Sequence, residues 1–323
     1  MTQAKLAALV GVSVASVSKA FSGSTEISEE TREAIFAAAK REGCFDKYYK
    51  TVRERPLIGL LFPEADSEYY GGQIDMLEAA FAERGADTII GLTKFDSERE
   101  ERLFRELSYK LKVDGVIISG AGELVLNPTE IPLITISKIK RGANADNIRI
   151  AYDEGLLTIV STLKEYGHKK IAFIGERLTK SKELEFKRAM RRVGLAVYDG
   201  FLVSAKSRFD RAGWDCMEKI ISSGELPDAI VAAYDSIAYG AMSCARNHGL
   251  KIPEDISFVG INDYHTSRLF DVPLSSLRID FAPVCDRVVE LIFKRIGNKH
   301  YRSREEIVVP TTLSIRQSIC RRK

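Results

Sequence analysis

The densest chemistry in this chain lies between residues 13 and 19, where Ser13, Ser16 and Ser18 precede Lys19. Hydroxyls, backbone amides and helix ends bond phosphate oxygens, and a cation adds attraction to a polyanion. A helix carrying that set suits the backbone and base edges of duplex DNA. The first acidic residue is Glu26, so Lys5 and Lys19 are expected to stand unopposed there. Other constellations fail on spacing. Cys44, Cys216, Cys244, Cys285 and Cys320 are scattered, form no CxxC and have no His at metal-ligand spacing, which predicts reduced thiols and no metal. His168, His248, His265 and His300 lie far apart with no local nucleophile, so no catalytic set is legible. Gly120-Ala121-Gly122 lacks the third glycine of a dinucleotide turn, and Gly71-Gly72 lacks a P-loop lysine. The expectation is a protein that is not an enzyme and uses no cofactor.

Holding the hydroxyl face in place requires a helix pair. Thr2 can cap a helix over residues 2–9, Gly11 breaks it, and Ser13 stands at the N-cap of a second helix, Val14–Phe21. A third helix is predicted after Ser28, running to Gly43. Leu6, Ala7, Val10, Val12, Val17, Phe21, Ile27 and Ile35 would close one small core between the three. Two helices joined by a glycine turn form the unit whose second helix enters the major groove. The same spacing also fits a helical hairpin that binds a protein.

From Leu57 onward, short continuous apolar runs alternate with amphipathic stretches. Strands are predicted at Leu57–Phe62, Thr88–Leu92, Gly115–Ser119, Leu133–Ile136, Lys170–Ile174, Ala229–Ala233 and Ile256–Gly260. Helices are predicted at Asp75–Arg84, Ser97–Lys112, Tyr152–Tyr166, Glu183–Val193, Trp214–Ser222 and Ile237–His248. Continuous apolar strands between helices imply parallel sheets covered on both faces. Ile58-Gly59-Leu60-Leu61-Phe62 restarts in kind at Ile171-Ala172-Phe173-Ile174-Gly175, which predicts two similar lobes. A ligand cleft then opens beyond the strands' carboxyl ends. The length of 323 residues accommodates two or three units, and the net charge of +3 is too small to establish nucleic-acid binding by itself. With no apolar run of membrane-spanning length and no signal peptide at the start, the expectation is a cytoplasmic protein with no membrane partner.

The string Thr2-Gln3-x-x-Leu6-Ala7-x-x-x-Gly11-Val12-Ser13-x-x-Ser16-Val17-Ser18-Lys19, then Ile27-Ser28-x-x-Thr31-Arg32, resembles the headpiece of the lactose-repressor and galactose-repressor family. Gly167-His168-x-x-Ile171-Ala172, Asp235-x-x-Ala238-x-Gly240-Ala241 and Ile252-Pro253-x-Asp255-Ile256-Ser257-Phe258-Val259-Gly260 extend the resemblance. So do Pro273-Leu274-Ser275-Ser276-Leu277 and Leu313-x-x-Arg316-x-Ser318. It implies an N-terminal all-α helix-turn-helix headpiece plus an α/β two-lobed sensor, with parallel Rossmann-like sheets arranged as in periplasmic binding proteins. The expected boundaries are 1–44 for the headpiece, 45–56 for a hinge, 57–150 with 278–310 for one lobe, and 151–277 with 311–323 for the other. The implied function is a sequence-specific transcription regulator, a repressor by resemblance. Its partners would be double-stranded operator DNA, a second copy in a homodimer, and a sugar or related metabolite as effector.

The resemblance places base reading on Val14, Ala15 and Lys19, and the expected DNA set is Thr2, Ser13, Val14, Ala15, Ser16, Ser18, Lys19, Lys47, Lys50 and Arg53. The hinge departs from the family. Asp46-Lys47 replaces a Pro-Asn pair, and Arg53 replaces a leucine that wedges into the minor groove, so cationic groove contact and gentler bending are expected. The implied effector set is Tyr69, Tyr70, Ser137, Lys138, Lys182, Phe209, Tyr234, Asp235, Asn262 and Phe281. It too departs: Ser137 stands for an aspartate, Lys182 for an arginine, Tyr234 for an asparagine and Asn262 for an aspartate. Lysine keeps a cation but loses the planar fork that grips paired hydroxyls. The alternative function is a ligand- or protein-binding module of this fold with weakened DNA recognition.

Overall fold

A computed structural model describes residues 1–21, 24, 26–48, 53–120, 131–136, 145–298 and 304–322, the side chains of residues 29, 46 and 109 excepted. The N-terminal unit holds α1 (Gln3–Val10), α2 (Val14–Phe21), α3 (Glu29–Arg41) and a single turn, α4 (Phe45–Tyr48). Each of the first three is started by a hydroxyl. Thr2 Oγ1 accepts from the Lys5 N–H at 3.3 Å, Ser13 Oγ from Ser16 at 2.9 Å, and Ser28 Oγ from Thr31 at 3.2 Å. Gly11 ends α1 at φ +74°, a left-handed conformation suited to glycine, and α2 departs at 104°. Leu6, Ala7, Val17, Phe21 and Ile35 form the core, and Phe21 packs on Phe36, Phe45 and Tyr48. Each large apolar side chain removed from water here contributes about 1.5–3 kcal/mol, which leaves so small a unit only marginally stable.

The strands that follow are β1 (Leu57–Phe62), β2 (Asp87–Leu92), β3 (Gly115–Ser119), β4 (Leu133–Ile136), β5 (Asp146–Ile150) and β6 (Ile171–Glu176). They continue with β7 (Leu202–Ala205), β8 (Ala229–Ala232), β9 (Ser257–Asn262), β10 (Ser275–Ile279), β11 (Glu306–Val309) and β12 (Thr311–Ser314). The helices between them are α5 (Glu68–Glu83), α6 (Ser97–Arg105), α7 (Tyr152–Glu165), α8 (Lys180–Arg192), α9 (Phe209–Ser222), α10 (Asp235–Asn247) and α11 (Ala282–Gly297). One sheet has the order β11-β5-β4-β3-β1-β2 with all pairings parallel. The other has the order β12-β10-β9-β8-β6-β7 and is parallel except for β12 against β10. Both match the expected pair of parallel lobes.

The chain passes between the lobes three times, from β5 to α7, from β10 to α11 and from β11 to β12. Residue 278, the expected boundary, lies inside β10 of the second sheet. Within the first lobe, Arg295 of α11 forks onto buried Asp146 of β5, pinning a helix contributed late in the chain to an early strand. Helix α5 begins seven residues before its expected start. Ser67 Oγ caps it by accepting from the Tyr70 N–H, so Tyr69 and Tyr70 ride on the first turn of a helix.

Candidate effector cleft and DNA interface

Where the lobes face each other, their strands' carboxyl ends and helix N-termini enclose a cavity of about 180 Å³. The first lobe sends in Glu64 just beyond β1, Tyr69 and Tyr70 from α5, and Phe95 beyond β2. The second contributes Tyr152, Glu176 at the end of β6, Lys182 of α8, Arg208 and Phe209 at the start of α9, Tyr234 before α10, Asn262 at the end of β9 and Tyr264 beyond it. The walls are therefore mostly aromatic faces, with Tyr69 and Tyr70 edge-on at 4.8 Å and Phe209 and Tyr234 edge-on at 6.1 Å. Phe209 and Asn262 are held at φ +57° and +107°, left-handed backbone that costs non-glycine residues energy and here aims two side chains at the cavity.

Charge is concentrated at one corner. Arg208 donates a two-pronged pair to Glu64 across the cleft, at 2.7 and 2.9 Å, and its Nε lies 3.4 Å from Glu176. The Tyr234 hydroxyl donates to Glu176 at 2.9 Å, and the guanidinium stacks over Phe95 and Phe209. Glu64 and Glu176 are both buried, so this bidentate cation holds them in place. The His265 N–H also crosses between lobes to Glu68, at 3.3 Å. Lys182 donates to the Ala233 carbonyl at 2.8 Å, with its ammonium 4.6 Å from the Tyr152 ring centre and 5.9 Å from that of Tyr234. Burial pulls Lys182 down to about 7, while Asp235 and Glu176 oppose that shift. Burial also holds Tyr70, Tyr152 and Tyr234 above the usual tyrosine range, keeping their hydroxyls neutral.

Six of the expected effector residues meet in this cavity: Tyr69, Tyr70, Lys182, Phe209, Tyr234 and Asn262. Two do not. Phe281 is buried in the first lobe's core, where it precedes α11. Asp235 is completely buried behind the wall, its carboxylate accepting from the Tyr264 N–H at 2.8 Å, Ser267 at 2.7 Å and Ser276 at 2.5 Å. Gly260 lies so close beneath it that a Cβ there would sit 2.1 Å from Asp235 Oδ1. Asp235 thus ties the β9–β10 loop to the start of β10, a correction to its expected contact with ligand. Ser137 and Lys138 lie outside the described residues. Glu64, Glu176, Arg208, Tyr152 and Tyr264 were not among the expected set. Glu64 and Glu176 each follow an apolar strand by no more than two residues, which was a legible signal, whereas Arg208 gave none.

On the headpiece, Ser13 at the cap and Val14, Ala15 and Ser18 on α2 are exposed, while Ser16 and Lys19 are partly covered. Lys19 is not unopposed as expected, because it pairs with Glu26 beyond α2. Thr2 is exposed at the start of α1, and Lys47 is exposed with its ammonium 5.5 Å from the Tyr48 ring centre. Lys50 lies outside the described residues. Arg53 departs from its expected groove role. Its guanidinium donates to the carbonyls of Leu111 and Lys112 and lies 3.7 Å from Asp114, so it anchors the linker to the first lobe.

Residues 5–43 match the family described as bacterial regulatory proteins, lacI family, and residues 160–319 match the periplasmic binding protein-like domain. Its headpiece is a lacI-family helix-turn-helix domain, joined to a periplasmic binding protein-like domain. Among the curated relatives of this chain is the HTH-type transcriptional repressor PurR of Pasteurella multocida, 27% identical over 331 residues and covering 97% of both chains. The repressor of the same name from Haemophilus influenzae (strain PittEE) is 26% identical with the same coverage. Solved structures with this fold include a lac repressor dimer bound to operator and the anti-inducer ONPF, with TM-score 0.72, 18% identity and 99% coverage of both chains. A transcriptional regulator CelR–cellobiose complex follows at TM-score 0.69 and 22% identity, covering 98% of this chain and 99% of that one. The protein is a DNA-binding transcription regulator with a lacI-family headpiece and a binding-protein-like sensor.

Proposed function

We propose that the protein is a cytoplasmic, homodimeric repressor whose hold on operator DNA is set by a neutral, flat, ring-shaped metabolite closed between the sensor lobes. The aromatic cavity is the observation that carries the effector class. Tyr69, Tyr70, Tyr152, Phe209, Tyr234 and Tyr264 supply ring faces or edges on several sides of one small space. A sugar, the class first expected, needs carboxylates and amides free to take hydroxyls in pairs. Here Glu64 and Glu176 are engaged with Arg208, and Asp235 is engaged with its own loops. Among the described residues, the buried Asn262 Oδ1 has no hydrogen-bond partner, and it suits the N–H edge of a nucleobase-like heterocycle.

The headpiece then works as two copies of α2 set into successive major grooves, with Ser13 and Ser18 on phosphates and Val14 and Ala15 against base methyls. The Lys19–Glu26 pair is largely exposed and screened by solvent, so it yields readily to a phosphate or guanine. Arg53 fastens the start of the sensor to the first lobe, so a change of lobe angle moves the point from which each headpiece is tethered. A thermal-shift panel of nucleobases, nucleosides and pyranoses tests the effector class on the full-length protein. Stabilisation by a flat heterocycle at concentrations where pyranoses do nothing supports it; stabilisation by pyranoses alone overturns it.

A further inference from the structure

Away from the cleft and the DNA face, three side chains with metal-ligating atoms converge on the outer surface of the second lobe. Glu218 of α9, Cys244 of α10 and His248 just after α10 place their ligand atoms within 4.8 Å of one another. The Glu218 carboxylate and His248 Nε2 are 3.1 Å apart. We propose that Glu218, Cys244 and His248 form a binding site for a zinc-like divalent cation that clamps α9 to α10.

A thiolate, an imidazole and a carboxylate make a borderline-soft donor set, the kind that favours Zn²⁺ over Mg²⁺ or Ca²⁺. With Zn–S near 2.3 Å and Zn–N or Zn–O near 2.0–2.1 Å, tetrahedral ligand atoms sit roughly 3.2–3.8 Å apart, so small side-chain rotations suffice. Cys244 and His248 are four residues apart, one helical turn, which aims both at the same side of α10. The expectation of no metal spacing passed over that step because the third donor comes from another helix. Cys244 is buried, while the side chains of Glu218 and His248 are 40% and 37% exposed, so the site is walled by protein on one side and open to a water ligand on the other. Trp214, one turn before Glu218 on α9, also approaches the same carboxylate and would orient it. On binding, the Cys244 thiol proton leaves to solvent and the sulfur takes the metal as thiolate.

The placement gives such a site a consequence. Helices α9 and α10 follow parallel strands of one sheet, so they run side by side in the same direction. Their first residues, Phe209 and Asp235, lie at or behind the cleft wall; Glu218 and Cys244 are each nine residues further on, about 13 Å along the axis. Near the cleft the two backbones are already locked, since a Cβ on Gly240 would fall 1.7 Å from the Asp210 carbonyl oxygen. A metal at the far ends fixes the same pair a second time and so sets the angle at which they present Arg208 and Tyr234.

Cobalt titration of the full-length, chelator-treated protein tests this, because Trp214 is the chain's one tryptophan. The expected result is one Co²⁺ per chain, a thiolate-to-cobalt charge-transfer band, and Trp214 quenching reversed by Zn²⁺. Cys244→Ser and His248→Ala should each lose the band while keeping the metal-free melting curve of the parent. His248 lies on the surface, so its variant remains informative if Cys244→Ser does not fold. Absence of the band in the parent overturns the proposal. A band that persists in both variants assigns it to another cysteine and overturns it equally, as does quenching without the band.

Discussion

Replacing Asp235 separates a positioning role from a ligand-binding one. Its buried carboxylate accepts three hydrogen bonds, from the Tyr264 N–H and the Ser267 and Ser276 hydroxyls. Alanine strands these donors. The backbone N–H cannot turn elsewhere and costs about 1–3 kcal/mol, and the two hydroxyls and the vacated volume bring the total to about 3–5 kcal/mol. Asparagine keeps the shape: its oxygen accepts from Tyr264 and Ser267 while its amide donates to Ser276, so at pH 8 the loss should stay below about 1.5 kcal/mol. Burial raises Asp235 to about 7, above its unfolded value, with Asp263 adding to the rise and the three donors opposing it. A raised acid binds its proton more tightly when folded, so its contribution is full below about pH 4 and is lost as pH rises through 7. By linkage that contribution amounts to about 4 kcal/mol. The parent should therefore gain stability relative to Asp235→Asn as pH is lowered from 8 to 5. Denaturant unfolding of parent, Asn and Ala proteins at both pH values measures these differences. If Asp235→Ala unfolds with the parent yet no longer responds to effector, Asp235 contacts ligand and the geometry has been misread.

Three other substitutions have defined outcomes. Lys19→Ala should weaken specific operator binding by about 1–3 kcal/mol with the headpiece melting unchanged, as read by anisotropy and circular dichroism. Glu64→Gln removes the charged acceptor of Arg208 across the cleft and should let the lobes part, raising the radius of gyration in solution scattering; an unchanged value would show that other contacts hold them closed. Gly240→Ala pushes a methyl group into the Asp210 backbone and should cost at least about 1–3 kcal/mol in denaturant unfolding, whereas parental stability would mean that α9 and α10 are free to slide.

The parts visible in the residue pattern were those where one physical signal dominates. Strands β1, β3 and β4 are buried on both faces, so their apolar runs are continuous and their bounds could be read directly. Strands β7, β11 and β12 lie at sheet edges and carry polar or charged residues, and β5 is interior but interrupts its apolar run with Asp146, Asn147 and Arg149, so their runs fell below notice. The headpiece was legible because its hydroxyl caps and Gly11 act within a few residues. The cleft was half legible. Tyr69 and Asn262 follow strands and lie where the fold rule puts a ligand, but Arg208 meets Glu64 only after the lobes close over 144 residues of separation. Asp235 misled for a related reason: the residue type and strand-end position suit a ligand, and only the three-dimensional course of the Ser267 loop and of β10 turns it inward.

The central claim is that α2 reads a specific duplex, and the most direct measurement is a binding titration of the full-length protein at physiological salt. It compares a duplex recovered from genomic DNA by the protein itself with a scrambled duplex of equal length and composition. The expected result is at least about 10³-fold tighter binding to the recovered duplex, with that margin falling in Lys19→Ala while the weak, salt-sensitive binding to the scrambled duplex persists. Equal affinity for the two duplexes would contradict it and leave a sensor whose headpiece no longer reads sequence.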